Sequence, residues 1–124
     1  MRFPVIVALL TLLVSFAFGQ TSNPAALEAE RRMLVHLEEK HRMAKAEHTR
    51  APRDAAKRKA YIDTTLKLGI ETMTALSMPP REKYPKALRL FREVLRVDPK
   101  NKEATKWRDQ IVEIYRSMGR PVPT

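Results

Sequence analysis

Downstream of residue 20, apolar side chains recur every three or four positions, and clusters of proline, aspartate and asparagine interrupt the recurrence three times. That period puts the apolar side chains on one face of a helix, and the interruptions mark helix ends. A first helix is predicted over 24–50. Asn23 offers a side-chain cap, Pro24 suits the first helical position, and Leu27, Leu34, Leu37 and Ala44 make an apolar stripe with Met33 beside it. The stripe thins after Leu37, so the second half of this helix is expected to be the more exposed. A second helix is predicted over 53–78, with Ile62, Leu66, Gly69, Ile70, Met73 and Leu76 at helical spacing and Tyr61, Leu68 and Ala75 widening the buried face. Pro79 and Pro80 end it, because a residue before proline avoids helical angles.

The third helix is predicted from residue 82 or 84 to residue 97, with Pro85 in its first turn, the one place where a missing N–H does no harm. Ala87, Leu88, Phe91, Val94 and Leu95 form its core face. A turn at Asp98-Pro99-Lys100-Asn101 leads into a fourth helix over 102–118 carrying Ala104, Trp107, Ile111, Ile114 and Tyr115, and Gly119 is placed to close it. Short connections make sequential helices pack antiparallel. The predicted fold is all-α, built of antiparallel helical hairpins.

Residues 5–18 break this amphipathic pattern with a nearly unbroken apolar run, preceded by Arg2 and followed by Ala17-Phe18-Gly19. A positive start, an apolar stretch and small residues before a cleavage point are the three parts of a secretory signal peptide. The run is shorter than the roughly 18–20 residues that span a bilayer as a helix. The expected organisation is a signal peptide at 1–19, a linker and long helix at 20–52, a helical domain at 53–119 and a tail at 120–124. The expected location is outside the cytoplasm, periplasmic or secreted; the alternative is a membrane anchor at residues 5–18. The chain has no cysteine, so helix packing alone must hold the exported domain.

One window carries a family pattern. Tyr84, Ala87, Phe91, Val94, Leu95 and Pro99 fall at fixed intervals, and Asn101 and Ala104 follow the turn. Ala87 is small enough to let a paired helix approach, Phe91 fills the gap between helices, and Pro99 fixes the turn. Upstream, Leu68-Gly69 places a glycine inside a helix, which costs about 1 kcal/mol relative to alanine unless a helix–helix contact requires it. These residues resemble the tetratricopeptide repeat: Leu68 and Gly69 on its first helix, Tyr84, Ala87, Phe91 and Leu95 on its second, Pro99 at its turn, and Trp107 on the helix that follows. The resemblance departs from the family in two places. About six more residues separate Gly69 from Ala87 than the 34-residue repeat allows, which implies a longer turn at 77–83 or overhanging helices, and Trp107 lies later than the usual aromatic position. The resemblance implies a scaffold that presents a surface to a protein or peptide and does no chemistry of its own.

Charge adds a second candidate. The chain carries a formal net charge of +10, so anionic lipid head groups, polymers or acidic proteins will be drawn to it. Lys40, Arg42, Lys45, Arg50, Arg53, Lys57, Arg58 and Lys59 face only Glu47 and Asp54 within residues 40–59. Lys57, Arg58 and Lys59 open the second helix, where positive charge opposes the helix dipole. With Arg53 they form the candidate anion site. No aromatic lies between Lys40 and Lys59, so base stacking is poorly served and nucleic acid is disfavoured as a partner. Arg89, Arg92 and Arg96 are assigned to an ordinary solvent face.

The histidines offer little chemistry. Glu38 and His41 make a single Glu-x-x-His step, whereas helical di-metal sites use two with further glutamates. His41 and His48 are expected along the seam of the first helix, partly solvated. Ser22, Ser77 and Ser117 lie in no strand–turn–helix context, and no phosphate loop or paired-carboxylate site is present. No catalytic residue, metal or cofactor is expected. The leading expectation is an exported, non-enzymatic helical scaffold for protein–protein interaction. The alternative is a cationic module that binds an anionic membrane or polymer surface through residues 40–59. Self-association through Leu27, Leu34 and Leu37 is a third reading.

Overall fold

A computed structural model describes residues 23–124. It consists of four α-helices: α1 (Pro24–Arg50), α2 (Ala55–Thr74), α3 (Pro80–Val97) and α4 (Lys102–Ser117). No strand occurs among the described residues, and none of their helices is long and apolar enough to cross a membrane. The apolar run at 5–18, with its signal-peptide and anchor readings, lies outside them.

Local chemistry sets most of the boundaries. The Asn23 side chain accepts from the Ala25 amide, with Pro24 opening α1. Asp54 accepts from the Ala56 and Lys57 amides at the start of α2, and Asn101 from Ala104 at the start of α4. Each satisfies amides that a helix start leaves unpaired. After α4, Gly119 takes a φ of 63° and the Arg120 amide returns to the Tyr115 carbonyl, a left-handed closure natural to glycine.

The α2–α3 connection differs from expectation. α2 stops at Thr74, before the predicted residue 78, and Leu76, expected on the buried stripe, is 77% exposed. The amides of Leu76 and Ser77 donate to the Glu30 carboxylate of α1, as does the Ser77 hydroxyl. A neighbouring side chain thus takes donors that one more helical turn would have used. α3 then begins at Pro80, earlier than predicted, and Pro85 falls inside it. Proline is tolerated at Pro80 because the first helical N–H is unpaired anyway. Pro85 has no N–H to give its preceding turn. Most of the chain between Thr74 and Ala87 therefore belongs to the front of α3, and the loop at 75–79 stays short.

Polar contacts fix the direction of the helices. Glu47 near the end of α1 pairs with Lys57 in the first turn of α2, while Glu30 near the start of α1 reaches the loop after α2. Arg58 at the start of α2 reaches Val97 at the end of α3. Neighbours α1 and α2, and α2 and α3, therefore run oppositely. α3 also packs on α4, and α4 touches α2. α1 packs backbone-to-backbone only on α2.

The main core lies between α2, α3 and α4. Phe91, Ala87, Ala104 and Ile111 are fully buried there, with Leu88 and Val94 beside them. Gly69 of α2 faces Phe91 so closely that an added Cβ would stand 2.7 Å from the ring. Glycine at this position is what lets the two helices meet. Tyr84, Leu95 and Trp107 are partly buried against the same core, and Lys106 Nζ sits 5.1 Å from the Trp107 ring centroid. Leu68 belongs to a second, smaller cluster with Leu37 of α1 and Leu90 of α3. Pro99 is exposed in the turn.

Candidate functional site

Because α1 packs its backbone on α2 and reaches α3 only through side chains, a groove opens between α1 and α3. It encloses about 520 Å³. Leu68 of α2 and Leu90 of α3 line its floor; Glu38 and His41 come from α1, and Lys86, Arg89, Arg92, Glu93 and Arg96 from α3. The α3 residues share a face because they recur at three- and four-residue steps. Arg89, Arg92 and Arg96, expected on a plain solvent face, instead line this groove with an apolar floor beneath them. Lys86 is paired with Glu38 across it.

A buried carboxylate ties three helices at the groove's wall. Glu93 of α3 is only 9% exposed. Its Oε1 lies 3.1 Å from His41 Nε2 and 3.3 Å from Lys45 Nζ, both on α1, and accepts the Tyr61 hydroxyl from α2. Burial opposes its ionisation, but the hydrogen bonds of His41 and Tyr61 and the charges of His41 and Lys45 outweigh it, holding the carboxyl down to about 2. Burial first, then the bond to Glu93 and the negative charge of that group, push the Tyr61 hydroxyl well above the usual phenol range, against a weaker pull from Arg96. The Tyr61 ring lies between the two histidines, with centroids 6.0 Å from His41 and 5.2 Å from His48. His48 Nδ1 is buried without a hydrogen-bond partner. The second half of α1 has no fully buried residue, as its thin stripe implied, yet it is docked on this polar cluster.

Sequence reasoning did not find Glu93. The available signal was an acid next to Val94 and three residues after Leu90, on the apolar side of α3. Glu30, which holds the α2–α3 loop, was legible only as a charge near a helix start. Hydrogen bonds from Ser77, opposed by burial and helped by the Leu76 amide and Lys83, lower its pKa.

The cations singled out at the start of α2 do not converge on one point. Lys57 Nζ lies 3.2 Å from Glu47 of α1. Arg58 donates to the Val97 carbonyl at 2.7 Å, placing a cation at the negative end of α3. Lys59 pairs with Asp63 one turn on. Arg53 is exposed in the connection before α2. Leu34 and Leu37, the candidates for self-association, are each 6% exposed and occupied within the fold; Leu27 is half-buried.

A second, shallower cleft of about 290 Å³ lies between α2 and α4, lined by Asp63, Leu66, Lys67, Ile70, Glu71 and Glu103. Among the described residues no group of three or more histidines and acids is placed to hold a metal ion. The larger groove offers an apolar floor with a row of guanidinium groups, an arrangement that can hold a chain segment and fix carboxylates. No protein-family model matches the chain, and no curated protein or solved structure matches it.

Proposed function

We propose that this chain is a non-enzymatic helical scaffold that binds an acidic segment of a partner protein in the α1–α3 groove. One observation carries the reading: Arg89 and Arg96 stand over a Leu68–Leu90 floor without a carboxylate or carbonyl partner among the described residues. Guanidinium groups beside apolar surface suit carboxylate-bearing peptides, which they grip bidentately. The net charge of +10 adds long-range attraction for such a partner.

The α2–α3 pair and the turn after it are read here as one tetratricopeptide-like repeat. The contact of Gly69 with Phe91 supports this, since it joins two of the residues that carry the resemblance. α1 and α4 then cover the two sides of a single repeat, which cannot bury both its faces alone. The pattern at residues 1–19 supports export, with the scaffold acting outside the cytoplasm. The competing reading, a cationic module that holds an anionic surface through residues 40–59, has less support, because Lys57, Arg58 and Lys59 already have partners in the chain.

Site-specific photo-cross-linking in the native envelope, with the cross-linker at the exposed position 35 of α1, one turn before Glu38, separates the two. A discrete protein adduct that disappears with Arg96→Glu supports the groove. Loss of adduct or of vesicle binding only in the Lys57→Glu/Lys59→Glu protein, with Arg96→Glu silent, would favour the cationic tip.

A further inference from the structure

After Gly119 the chain turns back over α3. Val122 packs against the main core, Arg92 Nη1 donates to the Pro123 carbonyl at 2.8 Å, and Thr124 lines the end of the α1–α3 groove. A short Pro-Val-Pro-Thr segment therefore already lies at the groove, held through a main-chain carbonyl. It brings no acidic side chain to the neighbouring Arg89 and Arg96.

Those two arginines are seven residues apart, about 10.5 Å along a helix that rises roughly 1.5 Å per residue. A polyproline-II chain, the form a Val-Pro step favours, rises about 3.1 Å per residue and returns to the same face every three residues, so it covers that span in about one turn. We propose that the groove takes a polyproline-II partner segment with two carboxylates three residues apart, one on Arg89 and one on Arg96, its intervening carbonyl on Arg92, and that residues 121–124 are a resident strap which this segment displaces. The proposal rests on the groove being the partner site. The strap makes one charge-assisted hydrogen bond and one apolar contact. The incoming segment keeps the bond to Arg92 and adds two ion pairs, so it wins the shared position.

The probe is a fluorescein-labelled peptide carrying two glutamates three positions apart around a Val-Pro step, followed by anisotropy, with a glutamine version as control. Binding to the purified protein is expected to fall more than tenfold with Arg89→Glu/Arg96→Glu, and with the control peptide. It is expected to tighten about tenfold in a chain lacking residues 121–124, because the competing hydrogen bond is gone. Val122→Asn loosens the strap without shortening the chain and shifts affinity in the same direction. In the unaltered protein, the Val122 methyl resonances should move toward their solvent-exposed positions as the peptide saturates. If the peptide binds and depends on Arg89 and Arg96, but strap removal changes nothing and the Val122 signals stay fixed, the strap is refuted while the groove stands. If glutamates two or six positions apart bind equally well, the spacing is refuted. If no binding is seen even in the shortened chain, the groove reading falls with it.

Discussion

The two faces of α2 are built from different materials. Toward α3 and α4 it is apolar and close: Gly69 admits the Phe91 ring, and Ile62, Leu66 and Met73 complete a buried cluster. Toward α1 only Leu34 and Leu37 of the long helix are buried. The remaining contacts of α1 are polar: Glu30 holds the loop after α2, Glu47 pairs with Lys57 of α2, and Glu38 on Lys86 and His41 with Lys45 on Glu93 reach across to α3. Apolar burial is non-directional and scales with area, so the first seam supplies stability. Hydrogen-bonded ion pairs contribute little net energy but demand one geometry, so the second sets the register of α1. A helix held in that way meets α3 through side chains and not through close backbone packing, which leaves a groove between them.

The comparison predicts its largest effect at Phe91. Phe91→Ala removes a fully buried ring from the junction of three helices and should cost about 3–5 kcal/mol by the usual range for such truncations. Gly69→Ala tests the same contact by its sign. On an unobstructed helix the change stabilises by about 1 kcal/mol, whereas here the new Cβ would stand 2.7 Å from a ring that is itself fully buried. Urea denaturation should therefore show both variants destabilised with cooperative loss of all helices. A stabilised Gly69→Ala protein would mean that the helices do not meet as closely as Phe91 indicates.

The next effect is smaller and should be local. Glu93→Leu leaves the Tyr61 hydroxyl and His41 without their buried acceptor, at roughly 2 kcal/mol. Hydrogen exchange should show α1 amides losing protection while α2, α3 and α4 keep theirs, the signature of subglobal opening. Global loss instead would erase the distinction between the two seams. The pH dependence has a fixed sign. The carboxyl of Glu93 is lowered to about 2 from an ordinary 4.5, so its stabilisation is complete above the unfolded value and drains away as pH falls from about 4.5 toward 2. Glu30, also lowered, acts in the same direction. Acid should thus release α1 first, and Glu93→Leu should flatten that response while leaving the part due to Glu30.

This division also decides what could be read without coordinates. The apolar seam was legible because its signal is local: the period of Ala87, Phe91 and Val94, and a helical glycine that only a close contact explains. The starts of α1 and α4 were legible for the same reason, since the Asn23 and Asn101 side chains accept from amides two and three residues on. The polar seam left no local trace. Glu93 and Tyr61 are 32 residues apart and Glu93 and His41 are 52 apart, so Glu93 looks like a surface charge, and nothing local links it to Tyr61 or His41, until the helices are assembled. The early stop of α2 has the same origin, because Glu30, some 46 residues upstream, takes the amide of Leu76.

The smallest effects separate two adjacent cations that sequence alone treats as one cluster. Arg58 donates to the Val97 carbonyl, closing the open end of α3. Arg58→Ala removes both that bond and a charge at the helix's negative terminus, an effect of about 0.5–1 kcal/mol. Lys59 pairs with Asp63 on the same helix, and its side chain is 77% exposed. Lys59→Ala should cost less than about 0.5 kcal/mol, as exposed pairs one turn apart generally do. Salt distinguishes them further: screening acts on the exposed pair within a Debye length of about 8–10 Å, while a hydrogen bond to a carbonyl persists. Raising the ionic strength should therefore remove the Lys59 effect and leave most of the Arg58 effect. Equal effects at both positions would mean that residues 57–59 act as an undivided patch of charge and that Arg58 contributes nothing specific to the end of α3.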